Sequence, residues 1–200
     1  MQLRSDSFAP MAPIPAEFAY GQPGVDGQPV VDGGNRNPHL AWRDAPAGTR
    51  SFVLMCIDSD VPSVFDDANQ AGRSIPADMP RIEFVHWLML DIAPEIGELG
   101  AGSCADGVVP GGNPDPFGPP GSRQGGNDFG PGHFGYDGPC PPWNDERLHH
   151  YHFSVHALDV AQLDVPDAFT LADVRKAMAG HELASASYTG TYTLNPALRG

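Results

Sequence analysis

Positive charge is scarce in this chain of 200 residues: 11 Lys and Arg stand against 25 Asp and Glu, a formal net charge of −14. Such a surface repels phosphate backbones and anionic bilayers at long range. This argues against nucleic-acid and membrane-surface binding while leaving room for one buried anion site. Cysteine is scarcer still. Cys56, Cys104 and Cys140 form no Cys-x-x-Cys pair and cannot all pair within one chain, so a structural zinc knuckle is disfavoured and a reducing compartment favoured. No segment approaches the roughly 18 apolar residues of a membrane span. The opening MQLRSDSFAPMAPIPAEF has no apolar core of a signal peptide, which points to a cytoplasmic protein without integral membrane association. Internal repeats, a G-x-S-x-G elbow and a G-x-x-x-x-G-K-[ST] loop are also missing from the sequence, which removes the usual serine-hydrolase and P-loop readings.

Glycine and proline are abundant, at 24 and 22 residues, too many for a helical protein. Glycine permits positive φ and proline removes a ladder donor, so the composition calls for strands joined by long loops. Three runs read as strands: SFVLMCID (51–58) and EFVHWLMLDIA (83–93), apolar enough to be covered on both faces, and YHFSVHALDV (151–160). In the last, Tyr151, Phe153, Val155 and Ala157 share one face, and His152, Ser154 and His156 the other. A helix is expected from Thr170, with Asp173 completing a capping box and Gly180 ending it, and a final strand over 183–194. Between Gly107 and Pro142, 20 of 36 residues are Gly or Pro. The aromatic residues Phe117, Phe129, Phe134, Tyr136 and Trp143 read as anchors that order the second half of this tract. The fold class is all-β, mainly β with a peripheral C-terminal helix, in one domain spanning 1–200.

Three constellations carry chemistry. Asp58 and Asp60 leave a strand two residues apart, which places them on one face as an acid/base pair, a cation site or turn caps that hold Pro62. His86 shares parity with Phe84, Leu88, Leu90 and Ile92, a row in which a histidine is more often a core residue than a functional one. GYDGPCPPWNDERLHHY (135–151) sets a stiff Gly/Pro loop before a run of histidines. His150 and His152 alternate onto one face and supply two zinc ligands. A third would have to come from His86, Asp58 or His149, and no spacing requires that, so no metal is assigned.

Taken in order, DSDVPS, HWLMLDIAP, NDFGPGHFGYDGPCPP and LHHYHFSVHALD resemble the phosphatidylethanolamine-binding proteins, with most similarity to their bacterial, Raf-kinase-inhibitor-like branch. The resemblance runs from Arg4 to the terminal GTYTL. It implies a large antiparallel sheet packed on a smaller one, a helix near the C-terminus, and a small pocket for phosphate-like or carboxylate anions and phospholipid headgroups. Carried over by position, that pocket comprises Asp58, Asp60, Pro62, His86, Gly138, Pro139, Cys140, His149 and Tyr151. Ser59 stands where the family commonly has proline, and His150 where animal members often have arginine. A homodimer is implied by the bacterial members, without a readable interface patch.

On this reading the chain is a non-enzymatic binding protein that takes a small anion or phospholipid headgroup and acts on a partner protein whose identity the sequence does not give. No cofactor is called for. Gly138 lets a ligand approach the backbone, with its N–H and that of Cys140 pointing inward. At roughly 6 Å each ionised aspartate would oppose an anion by about 2–3 kcal/mol. An aspartate here either holds His86 cationic, fixes the loop by accepting backbone N–H bonds, or meets the ammonium of an ethanolamine headgroup; the expectation is the first for Asp58 and the second for Asp60. The alternatives are a hydrolase or lyase working through a His86/Asp58 acid–base pair, and an inhibitor or scaffold whose pocket is vestigial.

Overall fold

The computed structural model describes residues 1–24 and 28–199; Val25, Asp26, Gly27 and Gly200, included in the expected 1–200 domain, lie outside the described residues. Ten strands follow one another as β1 (Gln2–Arg4), β2 (Gly21–Pro23), β3 (Val30–Asp32), β4 (Leu40–Arg43), β5 (Ser51–Pro62), β6 (Arg81–Ile92), β7 (Glu98–Leu99), β8 (Arg123–Gln124), β9 (His149–Leu158) and β10 (Glu182–Tyr192), with helix α1 (Leu171–Met178) before the last. All strand pairs are antiparallel: a five-stranded sheet in the order β10-β9-β5-β6-β8, a three-stranded sheet β1-β4-β7, and the hairpin β2-β3. A large antiparallel sheet, a smaller one and a peripheral helix are the expected class.

The central strands are apolar on both faces because each face meets a different layer. Leu54 and Cys56 of β5 join Trp42 of the small sheet, Phe153 and Phe8 in one core. Val53, Met55 and Ile57 join Val174 and Met178 of α1 in the other. This two-sided burial explains a nearly unbroken apolar run where a half-exposed strand would alternate. The strand continues beyond the expected Asp58 to Pro62, and β9 starts at His149. The first extension begins with Ser59 and Asp60 and ends in a proline, and the second is a pair of histidines, neither of which hydrophobicity alone marks as strand.

The Gly/Pro tract is held by a few anchors. Tyr136 is buried and donates its hydroxyl to the Phe18 carbonyl at 2.6 Å. Phe117 was expected to anchor as well, but it is 77% exposed and pins nothing. Gly112, Gly130, Gly132 and Gly135 all have positive φ, which is the conformational demand behind the composition.

Helix α1 begins as expected. The Thr170 side chain accepts from the Asp173 N–H, and the Asp173 carboxylate accepts from the Thr170 N–H at 2.9 Å, a reciprocal box. Gly180, at φ 84°, ends the turn. Thr170→Ala is predicted to lower unfolding free energy by about 1 kcal/mol without altering the native near-UV spectrum, measured by urea denaturation.

Candidate functional site

Strand register brings the sequence motifs together. Asp58 pairs with Tyr151 on one side and with Phe84 on the other, so β5, β9 and β6 meet at this level. His149, two residues before Tyr151, faces the same side, and both are fully buried. His86 arrives there through a bulge. Cys56 pairs with Trp87 but Ile57 with Val85, which leaves His86 as an extra residue. The side chain thus turns away from the core that holds Leu88 and Leu90, and its ring meets Tyr151 at 5.1 Å and Phe84 at 5.0 Å between centroids. Of the apolar row assigned from strand parity, His86 therefore keeps Phe84 as a neighbour and is parted from Leu88 and Leu90.

These groups floor a cavity of 70 Å³, with Cys140, Pro141 and Pro142 as one wall and Val61, Phe65, Phe84 and Phe129 around it. The stiff loop is locked to β6 by a reciprocal pair. The Asp137 N–H donates to the His86 carbonyl at 3.1 Å, and His86 Nδ1 donates to the Asp137 carbonyl at 2.7 Å. The Asp137 carboxylate is enclosed in turn by Asn35 Nδ2 at 2.8 Å, Asn127 Nδ2 at 2.9 Å and His133 Nδ1 at 2.8 Å.

Five of the nine expected site residues line the cavity: Asp58, His86, Cys140, His149 and Tyr151. Asp60, Pro62, Gly138 and Pro139 lie outside its lining. Gly138 donates its N–H to Asn35 Oδ1 at 2.8 Å, and a Cβ there would sit 2.1 Å from the Phe18 carbonyl oxygen. Its missing side chain admits the chain's own backbone rather than a ligand. The Pro139 carbonyl accepts the N–H groups of Tyr20 and Gly21.

The two aspartates also separate. Asp58 Oδ2 takes His149 Nδ1 at 2.7 Å, whereas Asp60 Oδ2 takes His150 Nδ1 at 2.8 Å. Adjacent strand residues point to opposite faces, and β5 is irregular between Asp58 and Val61, so the shared face assumed for the pair is lost. Asp58 Oδ1 accepts the Asp60 N–H at 2.8 Å, which makes Asp58 a turn cap as well. His150 and His152 stack with 6.4 Å between centroids on the partly exposed face of β9, separated from Asp58, His86 and His149.

The charge of the site sits on His149, not His86. Burial pushes the His149 imidazole down, but hydrogen bonds to Asp145 (3.1 Å) and Asp58 outweigh it and lift the pKa to about 9. Both ring nitrogens point at carboxylates, so both carry protons. Burial also pushes Asp145 upward, yet bonds from His149 and from Arg81, which is bidentate at 2.6 and 3.1 Å, keep it below the usual range. Asp60 is held low in the same way against burial, first by His150 and then by Arg147 at 2.6 Å. Burial depresses the His86 pKa, and Asp58 and the Asp137 carbonyl recover only part of that. The expected cationic His86 held by Asp58 is replaced by a neutral Nδ1–H tautomer held by a backbone carbonyl.

Tyr151 completes the floor. It is fully buried and its hydroxyl has no hydrogen-bond partner. Burial first, then the Asp58 charge and the pull of the adjacent Asp58 carboxylate on the hydroxyl proton, raise its pKa well above the ordinary value, so the proton stays on and the group is a donor set against Asp58 without a bond of normal geometry. Asp145, Arg81 and Arg147 were not read from the sequence. The i, i+4 spacing of Asp145 and His149 was visible, but only the turn at 142–145 and the long reach from Arg81 make it an ion pair.

Comparison with known proteins gives consistent results. The family model described as phosphatidylethanolamine-binding protein matches residues 4–193. The chain is 36% identical over 162 residues to the UPF0098 protein YbhB of Escherichia coli, covering 81% of this chain and 84% of that protein. It is 32% identical to a putative lipoprotein, LppC, of Mycobacterium tuberculosis, covering 96% of this chain and 72% of that one. Among solved structures, E. coli YbcL, described as a new member of the mammalian PEBP family, superposes with a TM-score of 0.71 at 26% identity, covering 96% of this chain and 97% of that one.

A pH prediction follows from the clamped imidazolium. The folded pKa of His149, about 9, lies above the unfolded value near 6.5. Its contribution of about 3 kcal/mol is therefore fully present below about pH 6.5 and lost as pH rises through about 9. Urea midpoints of the native chain should fall across that window. Those of His149→Gln should be lower at neutral pH and flat over the same range.

Proposed function

The chain belongs to the phosphatidylethanolamine-binding protein family, and on that premise we propose that it is a non-enzymatic binding protein whose 70 Å³ cavity takes one small oxyanion group, as the free ion or as part of a headgroup. The observation that carries this reading is the Tyr151 hydroxyl. Tyr151 lines this cavity beside Asp58, and a fully buried donor without a hydrogen bond of normal geometry is destabilising by about 1–3 kcal/mol, a cost that a bound oxyanion would relieve by drawing the hydroxyl toward the cavity. Cys140 lines the same cavity, and its N–H makes no backbone hydrogen bond among the described residues. The carboxylates that would repel an anion are compensated, Asp58 and Asp145 by His149 and Arg81, and Asp60 by Arg147.

The hydrolase reading requires His86 and Asp58 to work as a pair. Asp58 instead faces His149, whose second nitrogen is committed to Asp145, and His86 faces a carbonyl. Neither histidine is arranged as a base backed by a carboxylate. The family does not set the compartment, since a relative is described as a lipoprotein; no helix among the described residues is long and apolar enough to cross a membrane.

Titration calorimetry with inorganic phosphate should give a saturable 1:1 isotherm. Tyr151→Phe should weaken it about tenfold or more while raising unfolding free energy by about 1 kcal/mol, since the orphan hydroxyl is gone. A variant that binds phosphate as the native chain does would exclude this cavity as the site.

Affinity should also depend on pH. An anion beside His86 favours its protonated form, whose pKa is depressed in the free protein, so binding takes up a proton. Phosphate affinity is expected to rise from about pH 8 to about pH 6, and a pH-independent constant would contradict the placement of the anion next to His86.

A further inference from the structure

We propose that two copies of the chain associate through the edge of strand β10, joining their five-stranded sheets into one continuous sheet across a two-fold axis at Ser185. The two edges of that sheet are treated unequally. Beyond β6 the Gly/Pro tract closes the edge. There β8 pairs with Met89 and Leu90, and the N–H groups of Gly125, Asp128 and Asp137 donate to the carbonyls of Leu88, Val85 and His86. Beyond β10 the cover is partial. Met11 donates to the Thr189 carbonyl at 2.7 Å, Ile14 to the Thr191 carbonyl at 2.8 Å, and Thr191 donates back to the Ala12 carbonyl at 3.0 Å. This cover starts at Met11, and the strand from Leu183 to Ser187 is left open.

Strand geometry decides what the opening presents. The N–H and C=O of one residue point to the same side of a strand, and those of the next residue to the other. The outward bonds of Thr189 and Thr191 therefore put the backbone groups of Ser187 and Ser185 outward too, since the β10–β9 register is regular from Ala184 to Tyr192. Neither serine's backbone has an outward partner among the described residues, and both side chains are exposed. Such an edge is a template for another strand unless a charge, a proline or a bulge blunts it. The bulge here lies at the outer end, between Glu182 and Ala184, and β10 beyond Glu182 contains neither a charged residue nor a proline.

Two features select a second copy over a foreign strand. In a chain of net charge −14, this edge lets two copies meet without opposing carboxylates. An antiparallel pair centred on Ser185 sets Ser185 against Ser185 and Leu183 against Ser187, and leaves the two Glu182 side chains at opposite ends of the pairing. The other feature is a pair of exposed apolar side chains at the ends of the gap, Leu183 at 41% and Met11 at 57% exposure. In this register the Leu183 of each copy lies along the edge next to the Met11 of the other, so one isologous contact covers both pairs. The contact is small and belongs with transient dimers.

The test is sedimentation velocity on the native chain over about 1–300 µM, the range that a contact of this size populates. The mean mass should rise toward that of a dimer. It should rise more steeply in about 0.5 M than in about 0.05 M NaCl, because salt screens the repulsion between two acidic copies. Ser185→Lys places like charges opposite each other across the axis, and should remain monomeric with an unchanged near-UV spectrum. Ser187→Pro removes an outward N–H that the fold does not use, and should behave likewise. Hydrogen exchange locates the contact: the Ser185 and Ser187 amides should gain about fivefold or more protection between the lowest and highest concentration. A native chain that is monomeric throughout would overturn the proposal and leave the edge to an extended segment of another protein. A dimer that persists in Ser185→Lys, or forms without protecting these two amides, would overturn it by placing the interface elsewhere. None of these outcomes bears on the cavity, which neither serine lines.

Discussion

A doubly protonated imidazole held between two carboxylates in the interior is the interaction on which the remainder of this structure depends. His149 has no solvent contact, yet it is kept charged by Asp58 on one edge and Asp145 on the other. Neither anion would be tolerable there alone, and neither would the cation. An isolated buried charge is far more unfavourable than an arranged pair, and removing one partner leaves the other stranded. The cluster therefore ties three distant pieces of chain: the exit of β5 through Asp58, the start of β6 through Arg81 on Asp145, and the start of β9 through His149 itself. Asp60, Arg147 and His150 repeat the device on the other face of β9.

This arrangement separates charge from contact. Because the imidazolium spends both protons inward, it sets the depth and shape of the cavity floor but offers the cavity no hydrogen bond. Beside the paired Asp58, the other polar side chains of the lining are neutral, the hydroxyl of Tyr151 and the imidazole of His86. The charges around the cavity are thus balanced locally, within a chain whose overall charge is −14.

Much of the fold was legible because it rests on periodicity. The central strands, the capping box of α1 and the pairing of His149 with Tyr151 on one face all follow from local pattern. What misled was irregularity. Strand parity placed His86 among Leu88 and Leu90, and a one-residue bulge reversed it. Parity likewise joined Asp58 with Asp60, and the irregular ladder between Asp58 and Val61 parted them. Bulges depend on what the neighbouring strand and loop demand, which a single strand's sequence does not contain. Gly138 illustrates a different gap. A glycine in a Gly/Pro loop near a site invites a ligand-approach reading, but the Phe18 backbone already occupies that space. No local signal distinguishes the two.

The stiff loop that precedes the histidines has a role narrower than presenting its own amides. Its rigidity fixes one carbonyl, that of Asp137, at 2.7 Å from His86 Nδ1, and so decides which nitrogen of that histidine bears the proton. Asn35, Asn127 and His133 hold the Asp137 side chain and so keep that carbonyl in place, while Gly138 and Pro139 fasten the next two residues to the Phe18–Gly21 segment. A mobile loop would let His86 exchange tautomers and present a donor or an acceptor by turns. A fixed one keeps His86 in a single tautomer. The abundance of glycine and proline in this tract is thus connected, through one fixed carbonyl, to the protonation pattern of a histidine in the cavity lining.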